Sequence, residues 1–130
     1  MKYRILFLFF ILFIERLNAQ TYFKEGSNFK NSRVKLIYEA NIGGNRPSLS
    51  ITYPDGFNYF ELVMPVCPGD YCWCLRNNNF EDIAYLKIDF SSAKSKMYVK
   101  IKYDALLEKQ KDKEKIRNYI KMLEGTFVRK

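Results

Sequence analysis

Histidine is absent from all 130 residues. Its absence excludes Ser–His and Cys–His nucleophile pairs, the common zinc sites and the usual proton shuttle near neutral pH. Glycine is sparse, and Gly43-Gly44 is a lone pair in a turn with no lysine placed as a phosphate-binding loop requires. No apolar run beyond residue 19 approaches the roughly 20 residues that a membrane-crossing helix needs. Internal repeats and low-complexity linkers are missing too. Of the chemistry that remains, paired carboxylates could draw on Asp55, Glu61, Asp70, Glu81, Asp82 and Asp89. Asp55 reads as a turn residue, however, and Asp89 as the wet face of a strand. The expectation is a chain that is not an enzyme, with no cofactor and no metal site.

What is present begins at the N-terminus. Lys2 and Arg4 precede an unbroken apolar run over residues 5–14, and a short stretch then ends in Ala19. A charged start, an apolar core and a small residue at the cut form the layout of a secretory signal, although Leu17 is bulky for its place. Ten apolar residues are too few to anchor the chain in a bilayer. The reading is residues 1–19 as a signal peptide and 20–130 as a single small β-rich α+β domain, secreted or periplasmic. Its removal takes three cations and one carboxylate, leaving +6 of the formal +8 charge. Export argues against a nucleic-acid partner, and scattered lysines such as Lys100 and Lys102 read mainly as solubility.

Period-two alternation dominates the middle of the chain. Over residues 33–40, Val34, Leu36 and Tyr38 point one way. Leu49, Ile51 and Tyr53 do the same over 48–53, as do Phe60, Leu62 and Met64 over 58–64. Pro54-Asp55-Gly56 is a turn that should fold the second of these runs onto the third. Ala84, Leu86, Ile88 and Phe90 share a face over 83–90, and Met97, Val99, Ile101 and Tyr103 over 96–103, making a second hairpin around residues 91–95. Residues 20–30, with Tyr22, Phe23 and Phe29, are a candidate edge strand. Asp104 is placed to cap a helix over 105–124 that Gly125 would end. Residues 108–115 are entirely polar, and the competing reading is two shorter helices broken near 111–113. Phe127 and Val128 form a short apolar tail. The expected fold is α+β: an antiparallel sheet of about five strands with one long C-terminal helix packed on one face.

All three cysteines, Cys67, Cys72 and Cys74, fall within eight residues, around Pro68-Gly69-Asp70-Tyr71 and the sole tryptophan, Trp73. Export favours a disulfide, from Cys67 to either Cys72 or Cys74, because a Cys72–Cys74 ring is strained. The odd thiol stays buried or reactive, or joins two chains in a disulfide-linked dimer. A cuprous site has thin support: Met64 is near, but imidazole is missing.

Aromatic residues gather at Tyr53, Phe57, Tyr59 and Phe60. The expected partner contacts are Trp73, Tyr71, Phe57 and Tyr59, against the competing reading that these rings are core and cross-strand pairs. The functional expectation is an exported, non-enzymatic binding domain with a protein or cell-surface partner. The alternative is a carrier of a small apolar ligand, with a cavity between sheet and helix.

Overall fold

Alternating residues do form an antiparallel sheet, but a larger one than five strands. The computed structural model describes residues 19–26, 33–40, 47–64 and 70–130. The segment expected to be a signal peptide, through residue 18, together with the Gly43-Gly44 pair and Cys67, lies outside the described residues. Eight strands run in order: β1 (Ala19–Lys24), β2 (Lys35–Glu39), β3 (Ser48–Thr52), β4 (Glu61–Val63), β5 (Trp73–Arg76), β6 (Asp82–Phe90), β7 (Lys96–Tyr103) and β8 (Gly125–Arg129). Their spatial order is β3-β2-β1-β8-β7-β6-β5-β4, and every pairing is antiparallel. The two outer strands, β3 and β4, follow each other in the chain and pack together without a hydrogen-bonded ladder. The sheet is therefore a nearly closed barrel.

This overturns the expected five-strand sheet covered by a long helix. Residues 105–124 do not form one helix: Ala105–Lys109 is a 3-10 turn, and α1 covers only Lys113–Lys121. The polar run 108–115 explains the break, since it has no apolar face to hold it on a sheet. Asp104 does cap, accepting from the Leu106 amide at 2.9 Å, but it caps the 3-10 turn. The 20–30 candidate is not an edge either, because β1 lies between β2 and β8. The turn at 54–56 forms, with Gly56 at φ +81 donating to the Tyr53 carbonyl at 3.1 Å, yet it joins the two rims of the seam and not a paired hairpin.

Directly opposed residues in antiparallel strands share a face. Rows such as Tyr22–Leu36–Ile51, Trp73–Leu86–Ile101 and Met97–Phe127 point inward. Tyr22, Leu36, Leu75, Leu86, Met97 and Phe127 are fully buried there. Eight strands enclose an interior that side chains can just fill, and each large apolar group in it contributes about 1.5–3 kcal/mol. The other parity carries Lys35, Lys87, Lys100 and Lys102 outward. Gly125 opens β8 at φ +122, where an added Cβ would come within 2.7 Å of Lys24 Nζ.

Alternating direction puts the β1–β2, β3–β4, β5–β6 and β7–β8 connections at the same end. The last of these holds α1, about 14 Å long at nine residues. Ile116, Ile120 and Leu123 are buried, and the Tyr53 hydroxyl donates to the Tyr119 carbonyl at 2.8 Å. The helix thus closes one end of the barrel.

Candidate functional site: a cleft at the closed end

Three of the four connections at that end, β3–β4, β5–β6 and β7–β8, meet around one cleft. In the β3–β4 connection, Asp55 accepts from the Phe57 amide at 3.0 Å, which holds the turn. Its second oxygen accepts from the Tyr119 hydroxyl on α1. Phe57 stacks on Tyr119 with centroids 3.7 Å apart and planes 5° from parallel. Tyr53 meets both rings edge-on, at 5.5 and 5.1 Å. The edge contacts add to the area they bury. Tyr119, and after it the Phe57 amide, hold the Asp55 carboxyl below its ordinary range. The same bond raises Tyr119, while burial is the main force raising Tyr53.

The β5–β6 connection is built on Asn77, the sole buried polar residue among the described residues. Its carbonyl oxygen accepts from the amides of Asn79 and Glu81, both at 3.0 Å. Its amide donates to Glu81 Oε1 at 3.1 Å and to Gln110 Oε1 at 3.2 Å. The second of these ties the turn to the β7–β8 connection. Beside it the β5–β6 register slips at Leu75/Arg76, leaving Ile83 without a partner on β5 while Ile83 and Ala84 are both fully buried. Such bulges re-aim side chains next to sites.

Phe80 stands on this turn with φ +61 and 80% of its surface exposed. A bulky side chain in the left-handed region costs about 1–2 kcal/mol. Next to it opens a cleft of about 440 Å³, whose lining includes Phe57, Tyr59, Asn79, Glu81, Lys111 and Ile116.

Of the residues expected from sequence, Phe57 and Tyr59 line this cleft. Trp73 is only 7% exposed, points inward from β5 and presents no ring to solvent. Tyr71 lies elsewhere, in a shallow groove with Tyr98, Lys100 and Thr126. Cys72 is half-buried and Cys74 buried in β5 opposite Tyr85, whose pKa burial and the Asp104 hydrogen bond push up to about 12. No disulfide is shown among the described residues, which do not include Cys67. Nor do three Cys, Asp or Glu side chains gather as metal ligands among them. Sequence reasoning missed Phe80, Asn77 and the lysines of the β7–β8 connection. The run Asn77-Asn78-Asn79 was a turn signal, and an aromatic directly after it, outside any strand, was the clue to Phe80. No family model, curated protein or solved structure matches the chain.

Proposed function

We propose that the protein is an exported, non-enzymatic binding domain that engages a protein partner at the closed end of the barrel, with Phe80 as its anchor. The observation that carries this reading is the exposure of Phe80 on a braced turn with left-handed backbone. Glycine would suit that backbone better, and a polar residue would suit the exposure. A phenylalanine is favoured there by contact with something outside the chain. Aromatic anchors next to pockets carry much of the energy in protein interfaces. The filled barrel interior supports a binding domain over a carrier, which needs unfilled space inside. With export comes the disulfide from Cys67 to Cys72 or Cys74.

The test compares the secreted chain with its Phe80→Gly variant in cross-linked pull-downs from the extracellular fluid of the source organism. Relief of backbone strain offsets the entropy cost of glycine, so the variant folds with equal or slightly greater stability. Wild type should retain a partner that the variant loses. Equal recovery by both would refute Phe80 as the anchor, and an intact N-terminus at Met1 on the secreted chain would refute the signal peptide.

A further inference from the structure

The cleft has two unlike walls. Phe57, Tyr59 and Ile116 supply apolar surface, while Lys109, Lys111 and Lys115 supply cations. Among the described residues, the ion pairs are Arg76–Asp82, Lys87 with Asp70 and Asp89, and Glu108 with Lys113 and Arg117. None of them uses the three cleft lysines. Two carboxylates also line the cleft. Glu81 keeps its charge while accepting from the neutral Asn77 amide, and with Asp112 it sets two carboxylates against three ammonium groups; Lys115 also lies near enough to Asp55 to act on its carboxyl. The lining thus carries one net positive charge, beside a Phe57 ring fixed in place by Tyr119 and Tyr53 and a Tyr59 ring packed on Phe57 and Phe60.

We infer that this cleft binds a small amphipathic anion. Its ring or hydrocarbon body lies on Phe57, Tyr59 and Ile116, and its carboxylate, sulfonate or phosphate faces Lys109, Lys111 and Lys115. A volume of about 440 Å³ suits a molecule of two or three rings. Fixed aromatic walls lower the ordering cost of binding, and several cations on one rim raise the local concentration of an anion. Phe80 is not part of the lining, so this site stands independently of the partner reading.

The probe is 1-anilinonaphthalene-8-sulfonate, titrated by calorimetry and by amide chemical shifts into the secreted chain. Its neutral counterpart is N-phenyl-1-naphthylamine. The expected result is one site, with shifts centred on residues 57–59, 79–81 and 109–116. The sulfonate should bind at least tenfold more tightly than the neutral probe. Lys111→Glu with Lys115→Glu should weaken it at least tenfold with the amide spectrum otherwise retained, because both residues are exposed. Phe80→Gly should change its affinity less than twofold even if partner capture is lost. Equal affinity for the two probes, shifts centred elsewhere, or an unchanged affinity in the double-lysine variant would each overturn the inference.

Discussion

Asn77 joins two of the connections at the closed end, β5–β6 and β7–β8, and its removal should be costly. At 4% exposure, its carboxamide makes four hydrogen bonds: from Asn79 and Glu81 amides, and to the Glu81 and Gln110 side chains. Each such bond contributes a net ~0.5–1.5 kcal/mol. In Asn77→Ala the two turn amides can recover part of this from water, because the turn lies at the surface. The expected loss is about 2–4 kcal/mol. With a urea m-value of about 1–3 kcal/mol/M, the unfolding midpoint falls by about 1–2 M. Asn77→Asp sharpens the argument, since it keeps the shape and both acceptor bonds. It replaces the donor, however, with an oxygen facing Glu81 Oε1 and Gln110 Oε1, at 3.1 and 3.2 Å in the parent. At neutral pH that variant should be at least as unstable as alanine. Burial beside a carboxylate raises the new group's folded pKa, so its deficit shrinks as acid protonates it. Urea titrations at pH 7 and pH 5 measure both effects. A loss under about 0.5 kcal/mol for alanine, or wild-type stability for Asn77→Asp at pH 7, would refute the account of this turn.

Phe127→Ala should lose about 3–5 kcal/mol by urea or thermal unfolding, because the ring is fully buried between Met97 and the Lys24 side chain. The Asp55 carboxyl has a folded pKa below its unfolded value. Its contribution is therefore fully present above about pH 4 and is lost as the pH falls through the folded pKa. Stability profiles of wild type and Asp55→Asn should stay parallel from pH 8 to 5 and converge below 4. Profiles that remain parallel to pH 2 would remove the Asp55–Tyr119 bond as the cause. Non-reducing peptide mapping of the secreted chain should show Cys67 bridged to Cys72 or Cys74. Three alkylatable thiols would dismiss the disulfide.

The long alternating strands were legible because each has one buried and one wet face. In β7, Met97 and Val99 are buried while Lys96, Tyr98 and Lys100 are exposed. β5 was hidden for the opposite reason: Trp73, Cys74 and Leu75 are all buried, so no alternation survives. β8 was hidden by brevity, its one buried residue, Phe127, reading as a stray apolar tail. The helix was overextended because a polar stretch after a capping aspartate looks the same whether it is helical or breaks at Gln110–Asp112. Phe57 and Tyr59 could be singled out from their own cluster. Their cleft could not, since Asn79, Lys111 and Ile116 reach it from connections far along the chain. Only the antiparallel pairing of β4 through β8 brings those connections to a common end.

The return of β8 to β1 orders events in time. Tyr22 stands opposite Arg129, so the first strand gains its second neighbour only after more than a hundred further residues have been made. Contacts between such distant parts of a chain form slowly. Until then β1 stays half-sealed, with one edge unpaired. Once β8 docks, the Lys130 amide bonds the Thr21 carbonyl at 3.2 Å, so the first strand is sealed by residues that leave the ribosome long after it.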